Sequence, residues 1–577
     1  MRDLQAKRRR GTALVFSMFT VVTVLSLGAA FMTLTVSNSK VTEHHVRQER
    51  ARFLAEGGNE AVQKKLMQEI ANYRLPTADG VLVIDGVPVS YVVTDIPGVR
   101  APAQDADGVQ TIYDGYEIAT SATIDGYTAR VHKIVDVGKT PIFQYAVFYN
   151  NDLEIQPGPT MTISGRVHTN RDMYIGTGSN STLTIDSYYL RAIGSMYLHR
   201  KNNGTINSGR IRAKIMGTSS YHDIERKSDF DSMGVPSYSG FDSNFCGYDE
   251  NLDGDFNDED DLKKWRDRST EIWQGTVLTG EHGVHEAVVP SVASIKRYEE
   301  TESGTGGDYV YNDATCEYVY VSDSSGTHDR GYYYEQSGLS IIDGRAYDES
   351  GNDITNLLPP GTISSASMYD GRENKTVWLT EIDMSLLNTT DHFPSNGLLY
   401  AARSDSSPSQ PNGIRFKNAS EVKHGLTVVS EDAVYTWGDY NTVDKKPAAI
   451  ITDAMNILSN SWDDTKGAGT LPTATETTVN AAFISGNQDT TWGHYNGGFE
   501  NLPRFHEKWS NVKCNLVGSF VNLWLSEVAN GSWSYGGDNY KAPKRTWSFD
   551  QDFTDPDKLP PYTPVAVSIE RVAWWSS

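Results

Sequence analysis

The sequence predicts a mainly β ectodomain, read as an irregular parallel β-solenoid (β-helix), standing on a long N-terminal α-helix that begins as a transmembrane span. Antiparallel β-sandwich domains are the alternative for the β part. Three observations carry the prediction. Residues 12–36 form one uncharged apolar run. Residues 37–75 keep a helical spacing of apolar side chains. Beyond Pro76 that spacing fades, and Gly, Ser, Thr, Asn, Asp and Tyr alternate with short apolar runs, the punctuation of strands and turns.

The run TALVFSMFTVVTVLSLGAAFMTLTV at 12–36 follows a basic leader, residues 1–11, that holds Lys7, Arg8, Arg9 and Arg10. A hydrocarbon core about 30 Å thick is crossed by roughly 20 helical residues, so this run spans it with some tilt. The positive-inside bias then puts the N-terminus in the cytoplasm, the helix once through the inner (cytoplasmic) membrane lipid, and the ectodomain in the periplasm or at the cell surface. A secretory signal peptide has a shorter apolar core, about 7–15 residues, ending at a small-residue cleavage site.

Ala55, Val62, Leu66, Ile70 and Tyr73 fall on one stripe of a helix. The spacing predicts an amphipathic stalk over 37–75 continuous with the span, kinked at Gly57 and Gly58 and stopped by Pro76. Residues 76–140 read as a small β or α+β region, with VLVIDGVPVSYVV at 81–93 as strand material. Residues 141–234 read as solenoid rungs, because 160–200 repeats strand-turn-strand units with glycines or small polar residues at the corners, as in SGRVHTN and GSMYL. An insertion over 235–300 and a mixed β region over 301–380 separate these from a second solenoid part and C-terminal cap over 381–577. That part contains NGLLYAAR, NGIRFKNASEV, GLTVVSEDAVYTWG and PAAIITDAMNILS. Trp574 and Trp575 are expected to pack the last strand over the open end.

The run Arg10-Gly11-Thr12-Ala13-Leu14-Val15, the apolar helix and ARFLAEGGNEAV at 51–62 together resemble the N-terminus of PilX-type minor pilins. The resemblance implies a minor pilin-like component of a type IV pilus or type II secretion pseudopilus. It implies cleavage by a prepilin peptidase between Gly11 and Thr12, and a helix that packs against other pilins or pseudopilins in a filament through residues such as Leu14, Phe16, Val21 and Leu25. Most pilins carry a glutamate at the fifth mature position, where this chain has Phe16. Subunits thought to cap a filament, such as the K pseudopilin of type II secretion, also lack that acid, which implies a tip or low-copy role in assembly or surface attachment. Similarity extends through FQYAVFYNNDLEIQPGPTMTISGRVHTNRDMYI, HGLTVVSEDAVYTWGDYNT and the segments from GGFENLPRFHEKW to LPPYTPV, and implies no activity for the head. A membrane-anchored surface-binding protein or polysaccharide-active enzyme on a β-helix is the alternative.

Residues 249–262, DENLDGDFNDEDDL, put Asp249, Asn251, Asp253, Asp255, Asn257 and Asp260 at positions 1, 3, 5, 7, 9 and 12 of a calcium loop, with Gly254 at the sharp turn. Alternate residues of such a loop aim hard oxygens inward, with position 7 using its backbone carbonyl. The pattern resembles the dockerin-type loop, which ends on Asp, and predicts a structural Ca2+. A solvated acidic turn is the plain alternative.

Evidence for catalysis is absent at the level of motifs: no GxGxxG after a strand, no phosphate-binding GxxxxGK[ST] and no G-x-S-x-G. HGVHEAVV at 282–289 has Val289 where a zinc protease needs its second histidine, so His282 and His285 read as surface or turn residues. His168 and His506 stand alone and read as hydrogen-bonded structural groups. A net charge of −23 argues against nucleic acid as a partner. Cys246, Cys316 and Cys514 allow one disulfide at most. The 31 Tyr, 18 Phe and 12 Trp are first of all core material, with exposed clusters suited to surface glycans.

Overall fold

A computed structural model describes residues 2–97, 101–205, 207–224, 266–267, 269–297, 307–312, 317–322, 331–537 and 539–576. It consists of a long N-terminal helix and a mainly β remainder.

Helix α1 (Arg2–Ala71) is a single uninterrupted element. It ends five residues before Pro76, because Tyr73 takes a left-handed φ of 61° and the amide of Arg74 folds back to the Glu69 carbonyl at 2.8 Å. Gly58, at the position where a kink is expected, makes a close contact. A Cβ on Gly58 would lie 2.6 Å from Val89 Cγ1, so the missing side chain is what lets a strand approach the helix.

That strand belongs to an antiparallel sheet of β1 (Asp79–Ile84), β2 (Val87–Ile96), β3 (Ala103–Gln104), β4 (Gln110–Ile124) and β5 (Tyr127–Pro141). Asp85-Gly86 and Asp125-Gly126 make two-residue hairpin turns with positive φ at both positions, as the twist of paired strands demands. The last strand of the chain, Val565–Ser576, lies antiparallel to β5 and finishes this sheet. This corrects the expected C-terminal cap over 381–577. The strand buries the consecutive residues Ala566 and Val567, one on each face, and β5 offers it an edge to pair with. Trp575 stacks on His132 with ring centroids 5.1 Å apart, and Arg52 lies over Trp574.

One face of the sheet meets α1. Ala55, Leu54, Val62, Leu66 and Ala71 pack on Val89, Leu82, Ile118, Val131 and Val135. Ile70 and Tyr73, also on the predicted stripe, are half-buried. The contact includes polar groups that apolar spacing does not reveal. Asn59 donates to the Ile118 carbonyl at 3.0 Å, Thr120 donates to the Ala55 carbonyl at 2.7 Å, and the buried Lys133 pairs with Glu60.

Residues 142–564 therefore form one excursion between neighbouring strands, since Val565 pairs with Pro141. Within it come β6 (Tyr145–Tyr149), β7 (Leu153–Ile155), β8 (Met161–Ser164), β9 (Arg166–Thr169), β10 (Met173–Ile175), β11 (Thr182–Asp186), β12 (Leu190–Ala192), β13 (Met196–Tyr197) and β14 (Arg210–Lys214). They pair in parallel as β6-β9-β12, β7-β10-β13 and β8-β11-β14. Register stacks like residues: Val147, Val167 and Leu190 form one row, and Leu153, Met173 and Met196 another, all fully buried.

A second set runs in parallel from Leu339–Ile342 through Leu398–Ala402, Leu426–Trp437, Ala448–Leu458 and Ala482–Ser485 to Phe520–Asn522. Phe520–Asn522 then pairs in parallel with β6, Phe520 opposite Val147. The two halves of the excursion thus form one continuous ladder over one shared hydrophobic core, although their strands lie far apart in sequence.

Two buried charged groups inside this region are closely matched. Arg504, 2% exposed, bonds Glu373 at 2.8 Å and the Ala529 carbonyl at 2.6 Å, and Glu373 also accepts the Gly531 amide. Asp453 accepts the amides of Glu527, Val528 and Ala529 at 2.6, 3.1 and 2.7 Å. These bonds hold loop 526–531 against the ladder.

Candidate functional site: the exposed half of the N-terminal helix

Residues 13–46 of α1 are exposed along their whole length, and α1 contains the one helix segment among the described residues that is long and apolar enough to cross a membrane. Leu14 is 69% exposed, Phe16 75%, Val21 56% and Leu25 67%. The two hairpin turns mark where the head begins. Asp125 lies 3.6 Å from Arg47, Asp85 lies 3.4 Å from Arg50, and Tyr127 hydrogen-bonds His44. At 1.5 Å per residue, the apolar part from Ala13 to Val36 measures about 36 Å and the polar spacer from Ser37 to Glu43 about 10 Å. These lengths match a hydrocarbon core of about 30 Å with a tilted helix and an adjoining headgroup layer.

Five of the six hydroxyls between Ala13 and Val36 are bonded within the helix. Ser17 donates to the Leu14 carbonyl at 2.9 Å, Thr20 to Phe16 and Thr23 to Phe19 at 2.8 Å, Thr33 to Ala29 at 2.8 Å and Thr35 to Phe31 at 2.9 Å. A hydroxyl that bonds its own backbone costs little when water is removed, so the segment suits both lipid and a dry helix-helix contact. Gly11 and Thr12 lie in the helical backbone of α1.

The other predicted sites are dispersed. The calcium loop, with Asp249, Asn251, Asp253, Asp255, Asn257 and Asp260, lies outside the described residues, as do Cys246 and Cys316. Cys514 is buried, and burial pushes its thiol up. Among the described residues no group of three or more His, Cys, Asp or Glu is arranged to hold a metal. His168 is buried between Tyr189 and Asn170, and burial lowers it to about 4. His506 is likewise buried, bonded to Asn456 at 2.9 Å and lowered to about 4, chiefly by burial. His282 accepts the Thr279 amide in a short turn, and His285 is exposed. Trp273 and Trp509 are core residues, whereas Trp492 is 75% exposed on a loop.

One group escaped the sequence reading. Glu154 is buried beneath the loop that carries Thr490, and its Oε2 has no hydrogen-bond partner. Burial pushes its carboxyl up to about 7, helped by Glu500 and opposed by the Thr490 hydroxyl and Lys201. Its place beside two inward isoleucine and leucine positions in β7 gives no sign of this, because the covering loop comes from far along the chain.

No family model matches the chain. No curated protein matches it either. Among solved structures, the chain is similar to the competence-associated pilin ComZ from Thermus thermophilus, with 9% identity and a TM-score of 0.23, over 92% of this chain and 97% of that one.

Proposed function

We propose that this protein is a minor pilin-like subunit of a type IV pilus or type II secretion pseudopilus, with a large extracytoplasmic head that acts in assembly, at the tip or in surface attachment. The observation that carries the reading is the continuity of α1: one half is packed on a sheet of β1–β5 and the strand Val565–Ser576, and the other half is apolar and exposed, with most of its hydroxyls bonded to its own backbone. Such a helix has two media open to it, lipid and the helices of neighbouring subunits, and a filament subunit uses both in turn.

In this reading the basic leader keeps the N-terminus cytoplasmic, a prepilin peptidase cuts between Gly11 and Thr12, and Leu14, Phe16, Val21 and Leu25 pack on other pilins or pseudopilins. Phe16 in place of an acid, and a head whose excursion spans residues 142–564, favour few copies at a tip over many along a shaft. The parallel ladders are read as faces of an irregular β-solenoid inserted between two strands of the basal sheet. A structural Ca2+ in loop 249–260 would pin the 235–300 insertion, and exposed aromatics such as Trp492 would serve contact with surface glycans. No catalytic role is part of the proposal.

The test is site-specific photocrosslinking in the native cell from benzoylphenylalanine placed at Phe16 or Leu25, with Trp492 as the control position. Adducts from both helix positions to another protein with an N-terminal pilin-type helix are the expected result. Crosslinks to lipid alone, under conditions where pili or pseudopili assemble, would sink the filament role and leave an anchored surface protein.

A further inference from the structure

A cavity of about 330 Å³ lies where the end of α1 meets the excursion, a size at the lower end of small-molecule sites. Its wall is built by contacts between the two parts. Asn72 Oδ1 accepts both the amide and the hydroxyl of Ser291 at 2.9 Å, and Tyr73 stacks on Tyr332 with centroids 3.7 Å apart. Lys64, Arg74 and Arg171 line it with Glu286, so three cationic side chains face one carboxylate in a chain of net charge −23. Neither Lys64 nor Arg171 has a carboxylate within ion-pair distance among the described residues. Of the last four carbonyls of α1, those of Gln68, Glu69 and Ile70 already accept the amides of Asn72, Arg74 and Tyr73. Side chains rather than the helix end therefore set the charge of the cavity. Gln68 contributes a buried amide oxygen, Oε1, that has no donor.

We infer that this cavity is a binding site for a small hydroxylated oxyanion, a sugar acid or a sugar phosphate. Lys64 and Arg171 supply charge-assisted hydrogen bonds to the carboxylate or phosphate, and Arg74 lends further positive charge from the same wall. The Gln68 oxygen takes a hydroxyl donor beside it, a pairing that a bare anion cannot make. Because the wall comes from both α1 and the excursion, an occupant ties the head to its stalk.

The test is calorimetric titration of the full chain in detergent micelles with glucuronate, glucose 6-phosphate and neutral glucose. At least one of the two anions should bind tenfold or more tighter than glucose, and which one does so distinguishes carboxylate from phosphate. The double variant Lys64→Gln/Arg171→Gln should weaken that anion at least tenfold. Neither residue is in the core, so folding is retained. Gln68→Met should weaken the same probe about fivefold and leave inorganic sulfate, which has no hydroxyl, unchanged. Glucose binding as tightly as both anions, no binding of either anion, or an unaltered affinity in the double variant would each overturn the assignment.

Discussion

The contact between Gly58 and Val89 allows a sharp prediction, because the neighbouring glycine provides an internal control. A helical glycine replaced by alanine gains about 0.8–1.0 kcal/mol of intrinsic propensity. At Gly57 the new Cβ would stand 3.6 Å from Ile84 Cγ2, an ordinary contact, so Gly57→Ala keeps that gain. At Gly58 the new Cβ would stand 2.6 Å from Val89 Cγ1 and 3.3 Å from Val89 Cβ. Val89 is fully buried and β-branched, so it has no free rotamer and β2 must move outward. Overpacking of this kind costs about 1–3 kcal/mol, and after the propensity gain Gly58→Ala loses roughly 1 kcal/mol. The two variants then differ by about 2 kcal/mol, close to thirtyfold in the equilibrium for local opening. Hydrogen exchange read by mass spectrometry on peptides covering 51–71 measures that equilibrium. Gly57→Ala should slow exchange about fivefold, and Gly58→Ala should quicken it by a similar factor. Equal slowing by both would mean that the glycines mark a kink and not a close approach, and the packing argument would fail.

Three further outcomes follow from other parts of the molecule. Arg504→Ala leaves Glu373 buried without its partner and should destabilise the head by about 3–5 kcal/mol, while the paired change Arg504→Met/Glu373→Leu should cost clearly less; urea unfolding followed by tryptophan fluorescence compares them. Glu154 has a folded pKa of about 7, above its unfolded value, so its contribution is full below about pH 4.3 and is lost as pH rises to 7. Glu154→Gln should therefore match the wild type near pH 4 and exceed it by about 3 kcal/mol at pH 8; an unchanged difference across that window would show that the carboxyl is not held neutral. In the calcium loop, Asp249→Ala/Asp253→Ala should lower thermal stability in calcium and leave it unchanged in chelator, and a wild type that melts identically with and without calcium would remove the metal from the account.

The helix and the β class were legible because both have local signatures. An unbroken apolar run, a stripe at 55, 62 and 66, and short apolar runs between turn residues act within a few residues of themselves. What the sequence hid is long-range. Nothing near residue 565 signals that Val565–Ser576 returns to β5, since a strand of that pattern satisfies any free edge. The join of Phe520 to Val147 is equally invisible, because parallel pairing leaves no turn to mark it. The stalk's polar contacts were missed because apolar periodicity ignores Asn59 and Glu60 on the helix and Thr120 and Lys133 on the sheet, groups that pair between the two elements across more than fifty residues of chain. As for the site, exposure of Leu14, Phe16, Val21 and Leu25 is expected of any membrane-spanning run, so their pairing with other helices rests on the resemblance at Arg10–Val15 and on the crosslinking experiment.

The most direct measurement is the N-terminal residue of the mature protein, by mass spectrometry on membrane and sheared-surface fractions of the native cell. The account predicts a start at Thr12 with part of the protein in the sheared fraction. A chain that retains Gly11 and its basic leader, confined to the membrane, would contradict it.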